Sequence, residues 1–375
     1  MKLETRSRST SRATLNRQED EPVSVAIAGW FAANARKLPW RTPGAEAGLG
    51  RDPYHALVAE AMLQQTQVSR VVEKYGPFIE RFPTAAALAA ADLDEVLALW
   101  SGLGYYRRAR NLHAAARLVV ERFGGRVPSD VEQLLELPGV GRYTAGAIAS
   151  IAFDLPEPIV DGNVTRVLLR IHGREAASDD RTIQPWLWER AAALAAAARS
   201  PAAFNEGLME LGATVCLPPP ASPACERCPV AAGCRARQAG KQLTIPLPKA
   251  AAARTDVFCA SIVVVRSDGA VLIEKRPESG MWAGLWQTPT IERADRLPTK
   301  SEIARAVGID PRSTKPDGGF EFLATHRRLV FAVFRTSVAS AFEPRRGEFI
   351  PRARATRLAL SSPQKKLITG ESDLF

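Results

Sequence analysis

Leu137-Pro138-Gly139-Val140-Gly141 stands between two runs whose apolar residues recur at helical spacing, and its reading decides the fold. Two glycines two positions apart let the backbone turn tightly and come close to a partner. The helix expected after Gly141 points its first, unpaired N–H groups at that partner, which makes an anion site. Gly139, Val140 and Gly141 are therefore candidate contacts to an anion, with a plain helix-turn-helix as the alternative reading. Downstream comes Ile159-Val160-Asp161-Gly162-Asn163-Val164-Thr165-Arg166-Val167. An acid between an apolar strand-like run and a glycine, just before a helix, is either a helix cap or a reactive group.

Outward from this centre, residues 23–237 read as helical. Leu57 to Val72, Leu93 to Trp100, Arg108 to Arg122 and Trp186 to Ala198 carry apolar residues at helix spacing. Gly76-Pro77, Gly124-Gly125 and Pro128-Ser129-Asp130 punctuate them, with Ser129 or Asp130 as the cap of the next helix. Residues 1–22 are polar and rich in Ser, Thr and Arg, without an apolar secretory core, and read as a disordered basic tail. A mitochondrial presequence has similar composition. A linker over 238–254 holds Pro246 and Pro248. Beyond it Val257 to Arg266 is β-rich, Ser267-Asp268-Gly269 turns it into Ala270 to Lys275, and Leu329 to Thr336 reads as another strand. The chain is thus multidomain: an all-α domain over 23–237, then an α+β domain over 255–375.

A second acid, Glu60, lies in Val58-Ala59-Glu60-Ala61-Met62. Apolar neighbours disfavour its charged form, which suits a general acid; a solvent-facing glutamate is the plain alternative.

Of 375 residues, 50 are Lys or Arg and 40 are Asp or Glu, a net charge of +10 that suits a polyanionic partner. No segment approaches the roughly 20 apolar residues that span a bilayer, so no membrane role is expected. Four of five cysteines, Cys216, Cys225, Cys228 and Cys234, fall within a short stretch with eight, two and five residues between them. That spacing reads as metal ligation in a reducing compartment, by a [4Fe-4S] cluster or by zinc. Zinc ribbons usually offer two Cys-x-x-Cys knuckles, and only one is present here. Cys259 lies in a β-run and reads as a buried thiol.

The Leu-Pro-Gly-Val-Gly string resembles the helix-hairpin-helix of DNA repair glycosylases. With Leu38-Pro39-Trp40-Arg41, the Glu60 segment, Gly102-Leu103-Gly104-Tyr105-Tyr106, the Asp161 segment and Phe204-Asn205-Glu206, the chain resembles the MutY family of adenine DNA glycosylases from about residue 25 onward. The resemblance implies that Glu60 protonates N7 of an extruded adenine and that Asp161 stabilises the sugar cation. Paired carboxylates divide glycoside hydrolysis in the same way. It further implies that Tyr143 and Asn163 support the two acids and that Arg41 and Glu206 hold the adenine edge. Gln65 and Tyr105 would wedge into the opened duplex, and Leu63 and Leu103 are further candidate substrate-binding residues. The expected partner is double-stranded DNA with adenine opposite 8-oxoguanine or guanine, bound by a monomer in the cytoplasm, at the nucleoid in a bacterium. Residues 42–51 form an insertion atypical of the family.

The endonuclease III group shares the hairpin, the aspartate and the cysteines, but places a lysine two residues after the last hairpin glycine, to form a Schiff base. Tyr143 stands there in this chain, and a phenol forms no imine, so the reading is a monofunctional enzyme. A catalytically inactive DNA-binding relative is the non-enzyme alternative, which retention of both acids speaks against. The cysteine order resembles the glycosylase iron–sulfur loop, with a longer first gap absorbed in proline-rich residues 217–224. The implied cofactor is a [4Fe-4S] cluster whose loop carries Arg227, Arg235 and Arg237 toward phosphate.

Residues 256–375 resemble the Nudix fold. Its Gly-x5-Glu-x7-Arg-Glu-U-x-Glu-Glu-x-Gly-U box binds Mg²⁺ through glutamates. Here the matching stretch is Ser301 to Ile309, Arg305 and Ala306 replace two metal-binding glutamates, and the earlier Gly and Glu fall on Gln287 and Arg293. Nucleotide hydrolysis is therefore not expected. The resemblance implies an 8-oxoguanine sensor instead, at Ala324-Thr325-His326, where the family has Phe-Ser-His.

Overall fold

The computed structural model of the chain describes residues 17–41, 51–248, 254–324 and 326–370. In chain order the first helices are α1 (Arg17–Asn34), α2 (Pro53–Leu63), α3 (Val68–Arg81), α4 (Ala85–Ala89), α5 (Leu93–Leu99) and α6 (Arg107–Phe123). They are followed by α7 (Val131–Leu135), α8 (Arg142–Phe153), α9 (Gly162–Ile171), α10 (Gln184–Ala197), α11 (Pro201–Thr214) and α12 (Arg235–Gln238). Two compact units form. One comprises Met1–Leu57, Val127–Glu136 and Val140–Lys249, the other Val58–Arg126, Leu137–Gly139 and Ala250–Phe375.

The first unit is a helical bundle. Ile27, Ile159, Leu168, Leu187, Phe204 and Leu208 are all fully buried in its core, each contributing about 1.5–3 kcal/mol by burial. Asp130 caps α7 by accepting from Gln133 N at 3.0 Å, which settles the cap left open between Ser129 and Asp130. Two expectations are corrected here. The tail of residues 1–22 is shorter than its composition suggested, because α1 begins at Arg17. Acids favour a helix N-terminus; Asp20, 2% exposed, is hydrogen-bonded by Arg190, and Ser24 Oγ donates to Leu194 O at 2.8 Å. Residues 1–16 lie outside the described residues. The linker of 238–254 is docked along its first part: Ile245 is buried and Leu247 N donates to Ala176 O at 2.9 Å. An apolar side chain and paired backbone groups override the loop-like composition.

The long helix expected over Leu57 to Val72 is two helices, α2 and α3, separated at Gln65, whose φ of 53° is left-handed. The second unit groups α3–α6 with the C-terminal sheet. The covalent boundary near residue 250 is therefore not the boundary of this unit. Tyr106 Oη donates to Leu360 O at 2.8 Å, and Lys275 Nζ meets Asp94 at 2.9 Å.

The sheet has seven strands among the described residues: β1 (Thr255–Arg266), β2 (Ala270–Lys275), β3 (Trp286–Gln287), β4 (Thr290–Arg293), β5 (Lys315–Ala324), β6 (Arg327–Val338) and β7 (Glu348–Pro351). Its order is β3-β2-β1-β6-β5, with β4 on β1 and β7 on β2. The expected β1–β2 hairpin is present, Val265 opposite Val271. β1 and β6 run parallel along their whole length, from Thr255 opposite Arg327 to Arg266 opposite Val338. Helix α13 (Lys300–Val307) covers one face through Ile303, Ala304 and Val307; Leu367 of α15 (Ser362–Thr369) packs on the other. Between β7 and α15 lies a short helix α14 (Arg352–Ala355). No helix among the described residues is long and apolar enough to cross a membrane.

Candidate active site

Asp161 takes one of the two roles its sequence context allowed: it caps α9. Its Oδ1 accepts from Val164 N at 2.7 Å and its Oδ2 from Asn163 Nδ2 at 3.0 Å. Burial pushes its pKa above the ordinary carboxylate range, against those hydrogen bonds and the nearby Arg166 charge. Asn163 is held in turn, its Oδ1 accepting from Arg166 Nη2 at 2.9 Å. Arg166 also donates through Nε to Cys216 O at 2.7 Å and through Nη2 to Gly212 O at 2.8 Å. A Cβ at Gly212 would stand 2.6 Å from Asn163 Cβ, so only glycine lets α11 come this close to the start of α9. Tyr143 is half-buried on α8, its Oη donating to Met209 Sδ at 3.2 Å.

Arg41 and Glu206 meet, Nε to Oε1 at 3.2 Å. They belong to an alternating chain of charges. Arg36 and Arg41 both hold Glu210, at 2.7 and 2.9 Å, and Arg51 takes the second oxygen of Glu206. Burial alone would raise Glu210, but hydrogen bonds from Arg36 and Arg41 bring its pKa to about 2. Sequence reading missed the role of Arg51, the last residue of the insertion; residues 42–50 lie outside the described residues.

In the second unit Glu60 is buried on α2, 8% exposed. The same helix leads through half-buried Leu63 into the turn at Gln65. Tyr105, 44% exposed, has a φ of 45°, a second left-handed non-glycine residue. Such conformations cost on the order of 1–3 kcal/mol and persist where surroundings over-determine them. Arg108 supplies the over-determination. It donates to Ala61 O and Met62 O at 2.9 and 2.8 Å, and to Thr66 Oγ1, Leu103 O and Gly104 O at 2.9 to 3.0 Å. Thr66 Oγ1 also donates to Leu103 O at 3.2 Å, so one guanidinium ties the two turns bearing Gln65, Leu103 and Tyr105. Burial lowers its pKa to about 10. Sequence reading missed Arg108, because Arg107, Arg108 and Arg110 together look like a solvated basic face.

Along the hairpin Leu137 and Val140 are buried, and Gly139 adopts φ 82°. A Cβ at Gly139 would stand 2.7 Å from Asn111 Cβ. Gly141 caps α8, leaving the first amides of that helix without a side-chain cap.

Cys216, Cys225, Cys228 and Cys234 line one cavity in the first unit, together with Arg170 and Arg237. All four are half-buried free thiols. Burial, reinforced by its neighbours, pushes the Cys228 thiol up to about 11. Among the described residues no three His, Cys, Asp or Glu side chains are grouped to hold a single metal ion. The four thiols line one shared cavity, and four thiolates are a donor set that an iron–sulfur cluster takes. Arg227, Arg235 and Arg237 are exposed. Cys259 is fully buried in β1, as expected for a thiol packed in a sheet.

In the Nudix-like part, Glu302 lies at the start of α13 in a capping box with Thr299 and is paired with Arg293 and Arg296 at 2.9 and 2.8 Å. Gln287 is buried and donates to Glu274 at 2.8 Å. His326 is exposed between β5 and β6, and Thr325 lies outside the described residues.

The class that this fold and these sites define is matched by two family models. The HhH-GPD superfamily base excision DNA repair protein matches residues 58–192, and the NUDIX domain matches residues 260–370. Over 59% of this chain and 98% of its own, a solved thermostable thymine-DNA glycosylase is similar, with 29% identity and a TM-score of 0.51. The chain belongs to the adenine DNA glycosylase family. The mouse adenine DNA glycosylase is 40% identical over 365 residues, covering 84% of this chain and 70% of the mouse protein. Its rat counterpart is 41% identical over 309 residues, covering 71% of this chain and 59% of the rat protein, so the chain spans less than two thirds of that relative.

Proposed function

We propose that the chain is a monofunctional adenine DNA glycosylase of base excision repair, hydrolysing the bond between adenine and deoxyribose where adenine faces 8-oxoguanine or guanine in duplex DNA. The observation that carries this reading is the Asp161 carboxylate, held by Val164 N and Asn163 Nδ2 at the start of a helix. Glu60 protonates N7 of the extruded base, making adenine a neutral leaving group. Ionised Asp161 stabilises the positive sugar that results, with Asn163 and Tyr143 supporting the acids. Arg41 donates to the adenine edge and Glu206 accepts from it. Gln65 and Tyr105, backed by Leu63 and Leu103, fill the gap left in the stack, offsetting part of the few kcal/mol (roughly) that flipping costs. Gly139, Val140 and Gly141 present backbone N–H groups to phosphate. Tyr143 offers no amine, so the strand stays intact.

The function divides along the sequence: residues 23–237 perform the excision, and residues 255–375 read the opposing base through Thr325 and His326. Cys216, Cys225, Cys228 and Cys234 hold a [4Fe-4S] cluster, which orders their loop and presents Arg227, Arg235 and Arg237 to phosphate. The enzyme works as a monomer on nucleoid DNA in the cytoplasm.

The test is excision from a duplex with adenine opposite 8-oxoguanine. Strand cleavage only after alkali, lost in Asp161→Asn, is expected. Cleavage before alkali, or none in either case, would overturn the reading.

A further inference from the structure

Among the described residues lining the cysteine cavity, Arg170 carries a charge almost entirely shut off from water, at 2% exposure. Burying a guanidinium is costly unless its N–H groups and charge find partners. Three of its contacts are accounted for. Nε donates to Ile245 O at 2.7 Å, and Nη1 donates to Leu217 O at 2.9 Å and lies 3.2 Å from Cys216 Sγ. Its own backbone carbonyl accepts from Cys234 Sγ at 3.4 Å, so the residue touches two of the four cysteines. Nη2 is buried and has no hydrogen-bond partner among the described residues. A buried N–H group left unpaired is destabilising, because the hydration it loses is not replaced. Val167, Ile171, Leu211, Val215 and Val230, which also line the cavity, offer Nη2 no polar side chain, and Gln242, the polar amide of the lining, makes no hydrogen bond to it, its own Oε1 being buried without a partner among the described residues.

We propose that Arg170 donates through Nη2 to sulfur of the cluster bound in this cavity, and so sets the cluster's reduction potential and its resistance to oxidative loss. The inference rests on the cluster assignment above and adds a residue to it. Four thiolates and the core give the cluster a net negative charge that grows on reduction. A fixed cation with an N–H donor stabilises the more negative state more, in a site where little water screens it. Arg170 thus raises the potential, and removing it lowers the potential and favours the oxidised form. Exposed Arg237, on the same cavity, is screened by solvent and contributes less.

The experiment uses the full chain. Wild-type protein with zinc and without cluster absorbance near ~410 nm overturns the cofactor assignment itself. With the cluster present, the potential is measured on the iron-loaded fraction of wild type, Arg170→Lys and Arg170→Gln. The expected result for Arg170→Gln is at least a tenfold shift toward the oxidised form at fixed potential, about 59 mV for one electron, with severalfold faster bleaching by ferricyanide. Arg170→Lys, which keeps the charge, should fall between. A purely structural arginine would lower iron content and leave the loaded fraction's potential unchanged, and that result overturns the inference. Should neither variant load, Arg237→Gln protein grown with guanidino-¹⁵N arginine decides. A ¹⁵N coupling in the pulsed EPR spectrum of the reduced cluster supports Arg170 as the donor, and its absence overturns it.

Discussion

Arg166 Nη2 donates to Asn163 Oδ1 at 2.9 Å, and this bond turns the amide so that its Nδ2 faces Asp161. The same guanidinium reaches Cys216 O through Nε. The cysteine loop and the acid at the start of α9 are therefore positioned by one side chain. Arg166→Gln should leave the helices folded, because Arg166 lies at the edge of the core, yet lower the single-turnover excision rate by about 10–100-fold through misplacement of Asp161. Circular dichroism and a rate measured at saturating enzyme check this. An unchanged rate would show that Asn163 needs no support.

Asp161 gives a pH dependence with a definite sign. Its folded pKa is raised, so the folded state binds the proton more tightly than the unfolded chain does. Ionisation therefore costs stability, increasingly as pH rises through the interval from the unfolded value to the raised folded one. Asp161→Asn keeps a cap acceptor for Val164 N and removes the charge. Its melting temperature should exceed wild type at pH 7.5 and match it near pH 3, below the unfolded value. Wild-type excision should fall as pH drops through the raised pKa, above the ordinary carboxylate range. Equal melting temperatures at both pH values would contradict the buried-charge account.

Arg108 makes a structural prediction. Arg108→Met leaves the carbonyls of Ala61, Met62, Leu103 and Gly104 without these donors, and should destabilise the second unit by roughly 3 kcal/mol or more. Arg108→Lys should recover little, since an ammonium cannot fork to both turns. Urea denaturation measures the loss. Because Gln65 and Tyr105 then lose their enforced left-handed backbones, DNA binding should weaken even below the unfolding range.

Thr325 carries the last prediction, on the opposing base. Its hydroxyl is the group proposed to meet the oxidised edge of 8-oxoguanine, and the aromatic residue that precedes the hydroxyl in the family is Ala324 here. Thr325→Ala should shrink the ratio of excision rates opposite 8-oxoguanine and guanine, with little effect on the rate opposite guanine. A ratio unchanged by the substitution would remove Thr325 from the site.

The helical cap at Asp161, the hairpin at Gly139-Val140-Gly141 and the β1–β2 turn were legible in the sequence because each is a local event. Glycine's freedom, an acid's affinity for a helix start and alternating apolar residues act within a few positions of the chain. Other features were not legible for the opposite reason. The break at Gln65 is enforced by Arg108, 43 positions later in the sequence, and the helical start at Arg17 leans on Arg190 through Asp20. Strands β3, β4 and β7 are two to four residues long and exist only because β1 and β2 offer them edges.

By itself the sequence determined which residue types stand in which order: two acids, a glycine hairpin, four cysteines, and a tyrosine where a lyase needs an amine. Those are matters of covalent composition, and chemistry follows from them directly. Only the tertiary structure decided which groups are buried together. It chose Arg166 as the tie between Asn163 and Cys216, Arg51 as the second partner of Glu206, and Arg170 as a guanidinium enclosed beside the thiols. An arginine reads the same in sequence whether solvated or buried, and its energetic meaning comes entirely from the partners and the water that folding gives or removes.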